Sequence, residues 1–292
     1  MPNDISLAKT YVNNLDEIFR NESYTNDLTG DPTMIRAGAN AKEIIYPQLS
    51  VGGLGDYDRN AGYTTSAVSL KWKTAEYNYD RGARILVDYA DDAESLGLAF
   101  GSTGAALVRE CVVPEADAFT FATLAGKEGI SRGEDKKFDD GESFLKALVE
   151  AKIKMDEDEV PEEERYLYAT PTLFDMVMSL DTTKSREILS TFAKKKAVPQ
   201  SRFYTAIDLL DARSEGEEAG HYRKAEAGKK INFMIIHKPA IIKHDKHIAS
   251  NIIMPENNDS YDGYIIKYRK YGIVDVYDNK KAGIYLSAQP AE

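Results

Sequence analysis

The chain has 292 residues, 42% of them hydrophobic and 29% charged, enough apolar material for a sizeable core in one large domain or two modest ones. Its net charge of −11 excludes a surface that gains affinity by neutralising phosphates with clustered Lys and Arg. No apolar run of about 18 residues and no basic, apolar leader occurs, so neither a membrane-spanning helix nor a signal peptide is expected. The single cysteine, Cys111, cannot form an intramolecular disulfide; a reducing, intracellular site of synthesis is expected.

Residues 1–43 carry one amphipathic stretch, with Leu7, Tyr11, Leu15, Ile18 and Phe19 at helical spacing, then polar sequence. Such an arm buries little by itself and is expected to dock on another part of the chain or a neighbour, or to end as a mobile terminus. From Ile44 to Tyr79 two extended segments flank a glycine-rich tip at 52–62. Alternation places Val68, Leu70 and Trp72 on one face and Ser69, Lys71 and Lys73 on the other. The pattern predicts a long projecting hairpin, which as a two-stranded unit needs a surface to lie on.

A strand over Ala83–Tyr89 precedes the longest helical pattern, about 92–125. Its apolar or small positions Leu96, Phe100, Thr103, Leu107, Cys111, Ala118, Phe121 and Ala125 follow a 3.6-residue period. On that phase Cys111 is a buried small hydrophobe. Pro114 is expected to kink the helix by removing a hydrogen bond and crowding the preceding turn. A charged loop at 127–137 leads to a helix from Gly141 to about Met155. The acidic run 156–164 follows, then an apolar strand Tyr166–Ala169 and a helix opened by Pro171. Beyond Lys230 the sequence is a series of short apolar or alternating runs, which predicts a β-rich end. Helices and strands do not alternate as in a doubly wound sheet, so the fold class is α+β.

Candidate chemistry is sparse. Gly129-Ile130-Ser131-Arg132-Gly133 fits G-x-S-x-G, but a nucleophile elbow needs a strand, a strained turn and then a helix, whereas this stretch follows a helix within a charged loop. His237, His244 and His247 lie close in sequence with Asp245, without standard zinc spacing and beside Lys243 and Lys246; surface or strand-edge histidines are the expectation. Gly52-Gly53-Leu54-Gly55 and Gly101-Ser102-Thr103-Gly104 lack the residues that complete dinucleotide and phosphate loops. Lys194-Lys195-Lys196 reads as a solvated helix end, with a contact to an acidic run of a neighbour as the alternative. Neither enzymatic activity nor a cofactor or metal is expected.

The order of parts and several segments resemble the major capsid proteins of tailed bacteriophages with the HK-ninety-seven-type fold. These segments are Val112–Ala118 in the long helix, Val198–Phe203, Tyr268–Gly272 and Val276–Tyr285. The resemblance spans nearly the whole chain on loose patterns. It implies an N-terminal arm at 1–43, an extended loop at 44–78, a peripheral domain at 79–164 with a spine helix at 92–125, an axial domain at 165–250, and return strands at 251–292. It also implies a non-enzymatic virion subunit that assembles with itself into pentamers, hexamers and an icosahedral shell in the bacterial host cytoplasm. Scaffolding protein, portal and non-specifically held double-stranded DNA are the implied partners, with no membrane. Scaffolding is expected from a separate protein or from a segment removed before this numbering. Contacts between copies are expected at Leu54, Tyr57, Arg59, Tyr63 and Trp72 of the loop and at Lys195 and Glu163. Some family members cross-link through a loop lysine; none lies between Ile44 and Leu70. The alternatives are an encapsulin-type nanocompartment shell, which shares the fold, and a G-x-S-x-G serine hydrolase.

Overall fold

The computed structural model describes residues 18–19, 22–30, 36–37, 43–60, 62–65, 68–89, 98–180, 182–217, 220–258 and 262–291. Expectations for residues 1–17 and 90–97, including Leu7, Tyr11, Leu15 and Leu96, lie outside them, as does the side chain of His247.

Two antiparallel strands, β2 (Glu43–Val51) and β3 (Val68–Glu76), form the hairpin, with the two-residue β1 (Arg36–Ala37) beside β2. The chain then crosses to a second sheet in which β12 (Gly263–Val276) lies between β4 (Tyr79–Asp88) and β11 (Ile241–Ile253). Short apolar runs expected near the C-terminus fuse into β11 and β12 because a polar outer face does not end a strand that pairs along its whole length.

A third sheet runs β5 (Ser131–Arg132), β13 (Ile284–Ala288), β10 (Ile231–His237), β6 (Arg165–Ala169), β7 (Lys194–Ala197). It is covered on both faces, which explains unbroken apolar runs such as Leu167-Tyr168-Ala169. Tyr166, Tyr168, Met234 and Ile236 pack toward the long helix, while Leu167, Phe233 and Ile235 pack toward α3 (Gly141–Glu157) and α4 (Pro171–Ser179). Asp140 caps α3 by accepting from the Ser143 amide, and Thr182 caps α5 (Thr183–Ser190) by accepting from the Ser185 amide. A small ribbon, β8 (Ile207–Leu209) with β9 (Tyr222–Lys224), projects from this region.

The long helix comprises α1 (Leu98–Ala106), a π-helical turn at Leu107–Val112 and α2 (Val113–Ala125). The π-turn is the answer to Pro114. The Val113 amide reaches back five residues to the Val108 carbonyl, and the wider turn makes room where the proline ring would otherwise crowd the carbonyl before it. One extra residue in the turn rotates the buried stripe. Val108 and Val113, five apart, are fully buried, whereas Cys111 is exposed. The expectation of a buried Cys111 is therefore corrected: a 3.6-residue phase carried through a π-turn slips by one position.

Lys194–Lys196 is likewise not a helix end but the edge strand β7, parallel to β6. Two of its lysines meet a local carboxylate: Nζ of Lys194 lies 3.1 Å from Asp27 and that of Lys196 lies 2.7 Å from it.

Candidate functional site

The hairpin has a clamped root and a bare outer part. At the root Ile44 and Tyr46 are buried against Ile242 and Ile273, and Tyr46 meets Tyr277 edge-on with centroids 5.4 Å apart. The Lys73 ammonium pairs with Asp278. Asn78 ties the chain to β12 at both ends of its amide, donating to the Val274 carbonyl at 2.8 Å and accepting from the Val274 amide at 3.0 Å. Tyr77 packs edge-on against Tyr271.

Beyond Tyr46 the strands continue for five paired rows, from Pro47 opposite Trp72 to Val51 opposite Val68, roughly 17 Å of ribbon at about 3.4 Å per row. Face assignment follows from strand parity. The face that meets the protein body at the root carries Lys73 and Lys71, so the opposite face, with Trp72, Leu70 and Val68, turns away from it. Val68 is 66% exposed, Leu70 54% and Trp72 45%. Contiguous exposed apolar side chains of this kind are a surface open to contact.

At the tip Leu54 is fully exposed, and Tyr57 and Tyr63, both exposed, pack with ring centroids 4.9 Å apart. A tight turn is nested inside this loop. Asp58 and Gly62 exchange backbone hydrogen bonds, Asp58 Oδ1 accepts from the Asn60 amide at 2.6 Å, and Gly62 takes the left-handed φ of 80° that closing the turn requires. Arg59 sits in that turn, exposed. The structure thus gathers Leu54, Tyr57, Arg59 and Tyr63 at the tip and Trp72 on the stripe. Lys195 and Glu163 lie elsewhere, on β7 and on the loop that leads into β6.

Two buried polar clusters escaped the sequence reading. Asp117, with no solvent exposure, accepts from Ser23 Oγ and Thr25 Oγ1 at 2.7 Å, from the Tyr24 amide at 3.0 Å and the Thr25 amide at 3.1 Å, with Arg202 at 3.4 Å. Lys243, also buried, donates to the Thr25 carbonyl and hydroxyl at 2.8 and 2.7 Å. Burial disfavours its charge and brings its pKa down to about 8. Together with Leu28 in the core, these contacts fasten residues 22–30 to α2 and β11. In the second cluster Glu115 binds Arg81 at 2.7 Å and the Tyr79 hydroxyl at 3.1 Å, with His221 3.8 Å away. Burial alone would raise its pKa, but the neighbouring His221 imidazole and the hydrogen bonds from Arg81 and Tyr79 leave it below the usual carboxylate value. Arg81 also reaches the Leu210 carbonyl at 2.7 Å, which anchors the β8–β9 ribbon to the long helix.

The catalytic and metal candidates do not assemble. Ser131 lies in β5, after α2 rather than before a helix, and its hydroxyl donates to Asp158 at 3.2 Å, a carboxylate and not the imidazole base that a serine nucleophile uses. His237 is buried at the end of β10, and burial lowers its pKa. Among the described residues no group of three or more His, Cys, Asp or Glu side chains converges on a point that would hold a metal ion. Nor is any described helix long and apolar enough to cross a membrane.

No family model matches the chain, and no curated protein matches it by sequence. Solved structures do match. The structure from Gordonia phage Cozz superimposes with a TM-score of 0.60 at 10% identity, covering 93% of this chain and 87% of that one. The structure from Mycobacterium phage Che8 gives 0.56 at 13% identity, with 91% and 90% covered. A virus-like particle from Pyrococcus furiosus gives 0.59 at 9% identity, with 96% and 99% covered. The capsid structure of Staphylococcus phage Andhra gives 0.56 at 8% identity, covering 92% of this chain and 84% of that one. At these identities the likeness concerns architecture, and the architecture is that of the phage capsid fold.

Proposed function

We propose that this chain is the major capsid protein of a tailed bacteriophage, a structural and non-enzymatic subunit whose function is to assemble with copies of itself into an icosahedral shell around double-stranded DNA. The carrying observation is the apolar stripe Val68-Leu70-Trp72 on a root-clamped hairpin, turned away from its own body on a chain that shares the phage capsid fold almost from end to end. A monomer gains nothing from displaying it. A neighbouring copy supplies the surface that a hairpin of this length needs.

In this reading residues 1–43 are the arm, 44–78 the extended loop, the long helix with β4, β11 and β12 the peripheral part, and the sheet built on β6 and β10, with α3 and α4 packed on it, the axial part. Leu54, Tyr57, Arg59, Tyr63 and Trp72 meet the neighbour. Assembly takes place in the bacterial cytoplasm with a scaffolding protein and a portal. DNA is enclosed rather than gripped, as a net charge of −11 favours. The nanocompartment alternative shares the architecture and has no observation of its own in its favour.

Negative-stain electron microscopy and light scattering of the purified protein test the proposal, with pentamers, hexamers or shells expected and a strict monomer under all conditions refuting it. Deleting residues 52–62 is expected to leave a folded subunit that no longer forms shells. Normal shells from that variant would remove the loop from the assembly surface.

A further inference from the structure

Away from the hairpin, two surfaces of opposite charge lie on the part of the chain built on β6 and β7, and one group on each, Glu163 and Lys195, has no ion pair among the described residues. One is the acidic turn that follows α3. Pro161, Glu162, Glu163 and Glu164 are exposed there, and Glu159 and Glu164 hold left-handed φ values of 57° and 58°. Left-handed backbone in two non-glycine residues is costly and persists only where the surroundings fix it, so this turn is a held shape rather than a loose tail. The fixing group is Arg165, which donates to the Val160 and Pro161 carbonyls and pairs with Asp156 at 2.7 Å. Glu162 meets Lys152, but no salt bridge of Glu159 or Glu163 occurs among the described residues.

The other surface is an open groove between α4, α5 and β7, about 540 Å³ in volume. Phe174, Met178 and Leu189 give it an apolar bed, and Met178 is 66% exposed. Arg186 and Lys195 stand at its edge with Asp175 as the one carboxylate of the lining. The Lys195 ammonium donates to the Leu189 carbonyl at 3.0 Å, which aims it across the groove without neutralising it.

We infer that the acidic turn of one copy docks in this groove of the next copy, with Glu163 facing Lys195 and Pro161 on the apolar bed. The inference rests on the capsid reading and deepens it by naming the two partners of one contact. Charge complementarity selects the occupant, because the turn offers the Glu163 carboxylate and an exposed proline ring where the groove offers the Lys195 ammonium beside an apolar floor. Topology allows both surfaces of one copy to be used together. The turn enters β6 at Arg165, while the groove runs along β7 from Lys195, beside Leu167 of β6, to Ala197 and Pro171 at the strand's other end, so the two are built from different residues. A contact that joins different patches of successive copies is heterologous, and such contacts form rings where the rotation from copy to copy closes.

A charge swap tests this. Lys195→Glu and Glu163→Lys each place like charges opposite one another, and each is expected to raise the protein concentration needed for assembly by about tenfold or more. Neither group has an ion pair within the described chain, so circular dichroism and thermal melting are expected to match the unsubstituted protein. The double variant restores an attractive pair at every contact and is expected to recover assembly. Single variants that assemble normally, or a double variant no better than the singles, would overturn the inference while leaving the capsid reading intact, provided the unsubstituted chain forms shells. If the unsubstituted chain forms neither rings nor shells, the capsid reading itself fails. Normal shells from Lys195→Glu with loss of co-assembly with a separate scaffolding protein would assign the groove to that protein and overturn the inference as well.

Discussion

Replacing Asp117 with Asn is the sharpest probe of how the N-terminal segment is held. The carboxylate is wholly buried and takes four hydrogen bonds from Ser23, Tyr24 and Thr25, with Arg202 alongside. An amide of the same shape keeps one acceptor oxygen and turns the other position into a donor that faces donors. It also removes the charge opposite Arg202. Hydrogen bonds to a charged group contribute about 1.5–3 kcal/mol each, and removing one member of a buried ion pair costs about 3–5 kcal/mol. Partial rearrangement of the hydroxyls lowers the total, so a loss of about 3 kcal/mol in holding residues 22–30 is expected. Since about 1.4 kcal/mol corresponds to tenfold, the Tyr24 and Thr25 amides are expected to exchange with deuterium roughly a hundredfold faster. Amides in β6 and β10 at the centre of the large sheet report only global unfolding and separate a local release from a general loss of stability. Unchanged exchange at Tyr24 and Thr25 would show that the carboxylate is not what holds the segment.

Two further outcomes are expected. Because the unfolded chain still binds the Lys243 proton between about pH 8 and pH 10.5 while the folded chain has released it, the contribution of Lys243 to stability rises with pH across that window. At about 1.4 kcal/mol per tenfold change in proton affinity, the difference between the protein and Lys243→Met amounts to at most about 3 kcal/mol. Parallel urea-denaturation curves for the two proteins at pH 7.5 and pH 10, pH values set by that window, would refute this. Cys111, exposed at the π-turn, is expected to react with a maleimide in the native subunit. Its pKa is raised, first by partial burial and then by the Glu110 and Glu115 charges, so the reaction accelerates only above the ordinary thiol range. A thiol that reacts only after denaturation would restore the buried reading.

Period-two patterning was legible in the hairpin because the outer-row side chains stay exposed, so burial does not override it. Val68, Leu70 and Trp72 occupy the face that simple alternation assigns them. The long helix was legible as a helix, and Pro114 as its point of irregularity. Its phase was not, since nothing local distinguishes a proline met by a kink from one met by a π-turn, and Cys111 changed sides with that choice. Lys194–Lys196 carried no strand signal of its own, and β7 exists because β6 offers a free edge and Asp27 offers a counter-charge. Asp117 and Lys243 were out of reach for another reason. Their partners lie 92 and 218 positions away, and a single Asp in a helix or Lys in a strand reads as solvated until the chain is closed around it.

The fixed root of the hairpin bears on the entropy of association. A loose ribbon loses its freedom on binding, and with every residue that becomes ordered part of the contact energy is spent. Here the Tyr46–Tyr277 contact and the two-ended Asn78 amide set the direction of the ribbon in the lone subunit, and the Asp58 turn shapes its end. That ordering is already complete before a second copy arrives. In the proposed particle the advantage would recur at every junction, so that individually weak contacts would suffice and subunits that meet out of register could separate again before it closes.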